Sequence, residues 1–390
     1  MEKIHQLNLK NREAIILISS LYPEGILYDR RHIKDLDIFY LTGINKDNIV
    51  IVIKKEDNHI QSHIFTEYQT KESKIWNGIL LNPELLNKYD KIHNIALFNR
   101  LLPNILKGSS KVYIKSKYKM NCLITGFNGD LVKLINKIDK RIQIKSYIPI
   151  IKKLRMVKNK SEIDSIKKAI DVTKIGIDEV IKNIKAGVME YELEAIFEYI
   201  VKRNNVFELA FNPIIASGKN SCVIHYWKNN SSLKKNKVLL IDVGCKVKGF
   251  CSDISRSFFV GNMKNISSYQ KELYQAVLSI NKEIIKMVKP NILISDLTKK
   301  AKELVYFALK DMGKIKKINE VKKYFMHSVS HHLGLEPHDL SDFKKPLEKG
   351  NIITIEPGIY DSENSIGVRI EDDILVTKDG YINLSKKIKK

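Results

Sequence analysis

The sequence predicts an α/β region over 1–150 followed by an α+β region over 151–390. Three observations carry this reading. Short apolar runs alternate with helix-forming stretches through the first third. A long amphipathic pattern of helical period then begins near Ser161. From about residue 211 the texture changes to strands and turns, interrupted by a helical block around 268–312. Strands alternating with helices indicate an α/β layer, whereas grouped strands and helices indicate α+β.

In order along the chain, "NIVIVIKK" (48–55), "NIALFN" (94–99) and "SKVYIKS" (110–116) read as strands, with "NPELLNKYDKI" (82–92) as a helical spacer. "YLTGIN" (40–45) places Gly43 after an aromatic, strand-like run, which predicts a tight turn. A seam follows around Pro149. Ser161 is the expected cap of a helix that carries Ile163, Ile166 and Ile170 on one face. A second helix is expected over 191–205, and antiparallel hairpins thereafter.

Bulk properties narrow the function classes. A chain of 390 residues with 44% hydrophobic content can bury two cores. No apolar run approaches the roughly 18–20 residues that a bilayer requires. The opening "MEKIHQLNLKNREAIILISS" lacks the uninterrupted apolar patch of a leader, so a cytoplasmic protein without membrane contact is expected. The net charge of +23 is spread evenly, +9 over 1–150 and +14 over 151–390, and nine of the 67 basic residues are Arg. Neither feature suits bidentate phosphate recognition, so specific nucleic-acid binding is not expected. Cys122, Cys222, Cys245 and Cys251 show no C-x-x-C pairing and read as buried, reduced thiols.

The chemistry-bearing residues lie in the second region. In "VLLIDVGCKVKGFCSDISRSF" (238–258), Asp242 ends an apolar strand and Asp253 lies eleven residues on, with "KVKG" between them. A symmetric hairpin would set the two carboxylates opposite each other, Cβ atoms roughly 4.5–5.5 Å apart. Glu356 and Glu371 repeat the pattern about a midpoint at Glu363/Asn364. Each pair also fits a plainer reading, a capped turn Asp with an exposed partner or a solvent-facing strand Glu. Two such pairs in one region favour a cluster of four carboxylates, whose charge two divalent cations would balance. Oxygen-rich ligation with one imidazole suits Mn, Co, Fe or Zn. Asp253 and Glu371 are then the natural bridges, Asp242 completes one ion's shell, and Glu356 with one histidine completes the other's. The histidine comes from "HSVSHHLGLEPHD" (327–339), which holds His327, His331, His332 and His338.

With these residues in view, "SHHLGLEPHD", "TIEPGIY", "GVRIEDD" and the Asp-x10-Asp hairpin resemble the pita-bread metallopeptidases of family M24, and among them the aminopeptidase P (Xaa-Pro aminopeptidase) group. The likeness runs from about residue 160 to the end, and "DLDIFYLTG" (35–43) is similar to the same group's N-terminal domain. The resemblance implies a pita-bread catalytic domain over 151–390 and an aminopeptidase P N-terminal-like domain over 1–150. It implies Asp242, Asp253, His331, Glu356 and Glu371 as ligands of two divalent ions, Mn²⁺ foremost and Co²⁺, Fe²⁺ or Zn²⁺ as substitutes. His225 and His338 become the substrate-side catalytic histidines, His327 a pocket-lining residue, His332 a packing residue, and Arg369 a group that orders the carboxylates.

The implied reaction is metal-assisted release of the N-terminal residue from peptides with proline second. Glu356 takes the proton of the attacking water while His225 and His338 stabilise the oxyanion and aid protonation of the leaving nitrogen. An Xaa-Pro bond has no amide N–H, so the pocket must accept the ring rather than bond to that hydrogen. A homo-oligomer, dimer or tetramer, is implied as well. Two alternatives share the fold: an Xaa-Pro dipeptidase (prolidase), and a non-catalytic pita-bread binding module.

Overall fold

The computed structural model describes residues 2–19, 35–57, 59–79, 81, 83–115 and 131–390. Cys122 and Ser116 lie outside the described residues. The chain divides into two compact units, Met1–Leu154 and Arg155–Lys390.

The first unit is built on a six-stranded mixed sheet. Its strands are β1 (Glu13–Ile18), β2 (Val50–Glu56), β3 (His59–Thr66), β4 (Lys91–Asn94), β5 (Lys111–Ile114) and β6 (Gln143–Ser146), in the spatial order β4-β3-β2-β1-β5-β6. The pairs β1–β2 and β2–β3 are antiparallel, and β3–β4, β1–β5 and β5–β6 are parallel. One face of β1 and β2 packs Ile16 and Val52 with Phe65, Phe98, Leu102 and Ile135.

Two segments expected as strands are helical. Residues 94–99 form a 3-10 turn (Ile95–Leu97) running into the helix Phe98–Leu106, and the strand lies earlier, at Lys91–Asn94. Asn94 turns the chain there by accepting from the Ala96 N–H at 2.9 Å. Phe98, Leu102 and Leu106 then recur at helical spacing toward the core. The run before Gly43 is likewise the helix Leu36–Thr42, capped by Asp35, and Gly43 ends it in the left-handed region at φ 75°.

In the second unit the long helix runs over Lys160–Lys182, and its cap is Asn159 rather than Ser161. Asn159 accepts from the Glu162 N–H at 3.0 Å while Glu162 accepts from the Asn159 N–H at 2.8 Å, a reciprocal pair that Ser161 cannot form from inside the first turn. The next helix is Glu190–Arg203. The helical block near 268–312 is two helices, Ser268–Met287 and Ile294–Asp311, separated around Pro290 and Asn291. Asn291 is left-handed at φ 69°, and Pro290 has no N–H to continue the ladder.

The strands of this unit are β7 (Glu208–Leu209), β8 (Ile214–Ser217), β9 (Val238–Val243), β10 (Cys245–Val247), β11 (Phe250–Cys251) and β12 (Ile254–Phe259). After the helices come β13 (Ile352–Ile355), β14 (Gly358–Asp361), β15 (Ile366–Arg369), β16 (Asp372–Val376) and β17 (Tyr381–Asn383). They pair antiparallel as β8-β9-β12, β7-β10-β11, β13-β16-β17 and β14-β15. Ile353, Ile355, Val368 and Ile374 pack against Val277, Ile284 and Leu297 of the paired helices. The opposite faces of these strands carry the polar residues described next. Among the described residues, no helix is long and apolar enough to cross a membrane.

Candidate metal centre

The first acidic hairpin turns one residue later than its sequence suggests. Lys248 and Gly249 are both left-handed, at φ 51° and 83°, and form the two-residue turn. The register therefore pairs Asp242 with Ser255, and not with Asp253 as expected. The discrepancy is two positions along one strand, so both carboxylates remain on the same face, as diagonal neighbours. Gly244 allows this crossing, since a Cβ there would lie 2.0 Å from the Ser252 carbonyl oxygen.

The second hairpin has the expected register. Both β13–β16 (Ile355 opposite Asp372) and β14–β15 (Gly358 opposite Arg369) keep the spacing that sets Glu356 opposite Glu371 across the gap between the two ladders. The hairpins are joined directly: the Glu371 N–H donates to the Ser255 carbonyl at 3.0 Å, and the Ser255 hydroxyl donates to Glu371 Oε2 at 2.8 Å. His331 is held on the edge of β13, where the Thr354 N–H donates to its carbonyl at 2.9 Å.

These elements bring together residues far apart in the chain. Asp253, His331 and Glu371, all buried, offer ligand atoms within 4.8 Å of one another. His331 Nε2 stands 3.4 Å from Glu356 Oε1 and 3.7 Å from Asp253 Oδ2. Its Nδ1 faces the His332 carbonyl at 3.3 Å, so that nitrogen carries the proton and Nε2 presents its lone pair to the acids. Asp242 Oδ2 accepts from Arg369 Nη2 at 2.6 Å, while Asp242 Oδ1 is buried with no hydrogen-bond donor among the described residues.

The electrostatics describe a cluster short of positive charge. Burial, then the Asp242 carboxylate, holds Asp253 well above the usual carboxylate range. Burial and Asp253 do the same to Glu371, and burial pushes Glu356 up to about 8. Burial also pulls His331 down to about 3. The fully buried Arg369 stays cationic, because Tyr360, Asp242 and Glu371 outweigh its own desolvation. With all four acids ionised, one guanidinium would leave net negative charge; burial and mutual repulsion favour protons on Asp253, Glu356 and Glu371 instead, protons that a bound divalent cation would replace. A hard or borderline divalent cation fits that donor set.

The remaining predicted residues surround the cluster. His327 Nδ1 lies 3.8 Å from Glu356 Oε2, and its Nε2 lies 3.0 Å from the Tyr360 hydroxyl. His338 stacks on His331 at 4.1 Å between ring centroids and is exposed on its other side. His225 is exposed too; burial lowers the pKa of both His327 and His338, and the nearby His225 adds to each shift. His332 is buried, and its charged neighbours are Lys158 and Asp339 rather than the four acids.

Several residues of the site were not singled out from the sequence. Tyr360 accepts from Arg369 Nη1 at 2.9 Å, and Ser255 accepts from Arg369 Nε at 2.8 Å. Asp373 Oδ2 accepts from the Asp253 N–H at 3.2 Å and orients that segment. The adjacent acids of "EDD" were a visible signal for Asp373; nothing local marked Ser255 or Tyr360.

Comparison with known proteins identifies the family and the fold. The profile of metallopeptidase family M24 matches residues 164–378, and that of the aminopeptidase P N-terminal domain matches residues 28–113. The Xaa-Pro aminopeptidase of Escherichia coli K12 is 30% identical over 91% of this chain and 86% of its own length. Among solved structures, a Bacillus anthracis protein provisionally assigned as an aminopeptidase P superposes with a TM-score of 0.91 at 34% identity, covering 100% of this chain and 94% of that one. Aminopeptidase P from E. coli, solved with the inhibitor Pro-Leu, gives a TM-score of 0.89 at 26% identity over the same shares. The chain belongs to metallopeptidase family M24, with an aminopeptidase P N-terminal domain ahead of its catalytic domain.

Proposed function

We propose that the protein is a metal-dependent Xaa-Pro aminopeptidase, releasing the first residue of peptides whose second residue is proline. The observation that carries this is the buried acidic cluster: four carboxylates and one imidazole converge around a single guanidinium and leave Asp242 Oδ1 without a partner among the described residues. The relatives named Xaa-Pro aminopeptidase and aminopeptidase P supply the bond that is cleaved.

Asp242, Asp253, His331, Glu356 and Glu371 would hold two divalent ions, Mn²⁺ first and Co²⁺, Fe²⁺ or Zn²⁺ as substitutes. When bound, the ions supply Lewis-acid polarisation of the scissile carbonyl and lower the pKa of water. Glu356 then accepts the proton of the attacking water. His338 and His225, both exposed to solvent at the site, would face the developing oxyanion and the leaving nitrogen. His327, steadied by Tyr360, lines the pocket, and Arg369 holds Asp242 in place.

A homo-oligomer is part of this proposal, supported by Ile75, Trp76 and Ile79, which are 83%, 84% and 70% exposed. A cytoplasmic location fits the free thiols Cys222, Cys245 and Cys251.

The test is an Mn²⁺-supplemented assay that compares the dipeptide Xaa-Pro with Xaa-Pro-Yaa-Zaa. Release of the first residue from the longer peptide is expected. Cleavage of the dipeptide alone would assign a prolidase, and cleavage of neither would support a binding module.

A further inference from the structure

The loop between β8 and β9 carries His225, and one buried carboxylate holds that loop. Glu190, the first residue of the helix Glu190–Arg203, is fully buried and forms no ion pair with a cationic side chain among the described residues. Its Oε1 accepts from the Ser217 N–H at 2.7 Å and from Asn220 Nδ2 at 3.0 Å. Its Oε2 accepts from the Tyr226 hydroxyl at 2.8 Å and from the Ser231 N–H at 2.9 Å. The Glu190 N–H in turn donates to the Ser231 carbonyl at 2.9 Å.

Burying a carboxylate without a cation is costly unless its acceptor capacity is filled. Here four donors fill it, and the helix N-terminus adds a favourable dipole. The donors at 217, 220, 226 and 231 bracket His225, and the nearest, Tyr226, is its chain neighbour. Tyr226 is buried at 7%, whereas Val223 and Trp227 on the same loop are 53% and 72% exposed. One turn further along the helix, Glu194 accepts from Asn229 Nδ2 at 2.9 Å and secures the returning limb. Elsewhere the loop is tied by the Gly367 N–H, which donates to the Ser221 hydroxyl at 2.7 Å, and by Asn229, which accepts from the Ile215 N–H at 3.0 Å; the segment next to His225 is held through Tyr226 by Glu190.

We infer that Glu190 is a positioning residue for His225, acting through Tyr226, in the peptide hydrolysis proposed above, on which this inference rests. Glutamine at this position keeps the size but turns an NH₂ group toward one pair of donors, Ser217 and Asn220 or Tyr226 and Ser231, so either way the loop loses acceptors and shifts.

The test uses the full-length, metal-loaded protein with Glu190→Gln, Tyr226→Phe and His225→Ala, and the double variant Glu190→Gln/His225→Ala. Misplacement of a reacting group by about 1 Å costs up to about 10²-fold in rate. Glu190→Gln is accordingly expected to lower kcat for Xaa-Pro-Yaa-Zaa by about 10- to 100-fold, with KM little changed. In the His225→Ala background it is expected to add nothing. Tyr226→Phe, which removes one of the four bonds to Glu190 together with the bond Tyr226 accepts from Asn220 Nδ2 at 3.0 Å, should cause a loss of the same kind. An unchanged kcat, or a loss that multiplies with that of His225→Ala, overturns the inference.

A second readout does not need hydrolysis. The His225 imidazole resonance, read on the protein loaded with diamagnetic Zn²⁺ and identified by its absence in His225→Ala, should shift or broaden in Glu190→Gln and in Tyr226→Phe. A resonance that stays in place overturns the inference even if the wild type is active. A wild type that releases no residue overturns the proposed function, while the resonance still decides the part played by Glu190. If Glu190→Gln does not fold, Tyr226→Phe carries both readouts.

Discussion

Asp339 follows His338 and is enclosed by two buried cations, which makes Asp339→Asn a demanding perturbation. Arg155 donates to Asp339 Oδ1 from Nε at 3.1 Å and again from Nη2, and Lys158 Nζ lies 3.4 Å from Oδ2. All three side chains are at most 2% exposed. Breaking a buried pair from one side costs about 3–5 kcal/mol. Arg155 keeps Glu336 at 2.9 Å, and the asparagine retains one carbonyl acceptor, so the lower end applies. About 3 kcal/mol in a unit of this size lowers the melting temperature by about 6–12 °C. The pH dependence has a definite sign. Burial holds Lys158 below 10.5 while Asp339 opposes the shift, so loss of the Asp339 charge moves Lys158 further down. Between that value and 10.5 the unfolded chain binds more protons than the native one, and stability rises with pH. Calorimetry at pH 7 and pH 9.5 should therefore show a gap to the wild type that narrows at the higher pH. A drop below about 3 °C at pH 7, under half the loss expected for a broken buried pair, or a gap that widens, would refute the reasoning.

Four further outcomes follow from the site and the sheet. Glu356→Gln should remove hydrolysis by about 10²- to 10⁴-fold, with the circular dichroism of the wild type retained. Stripping the protein with a chelator and restoring Mn²⁺ to about 100 times its dissociation constant should add about 2.7 kcal/mol, or about 5–10 °C, by linkage. His331→Ala should lose most of that gain in the same melting experiment. In the first unit, burial and the facing His93, 3.1 Å away, hold His63 down at about 4. The unfolded chain takes up that proton as pH falls below 6.5, so urea stability of this unit should decline from pH 6.5 toward 4, and less steeply in His63→Gln.

How much the sequence discloses depends on the range of the interaction that decides each feature. The register of the second hairpin was legible because apolar alternation flanks a polar turn on both sides, from Ile352 to Val376. The first was misplaced by two positions because Lys248 adopts a left-handed φ that its side chain does not announce. Residues 36–42 and 94–99 are too short for period 2 and period 3.6 to be separated, and local caps at Asp35 and Asn94 decided for helix. Asp242, Asp253, Glu356 and Glu371 stood out as two spaced acid pairs, whereas the choice of His331 among four neighbouring histidines rested on the family resemblance. Their supports were not legible: Ser255 meets Glu371, Tyr360 meets His327, and Glu190 meets Tyr226 only after folding.

The central claim is a two-ion centre assembled by two hairpins and one histidine. Anomalous diffraction from crystals grown with Mn²⁺ tests it most directly. Two anomalous peaks per chain are expected, ligated by Asp242, Asp253, His331, Glu356 and Glu371. A single peak, or peaks away from these side chains, would contradict it.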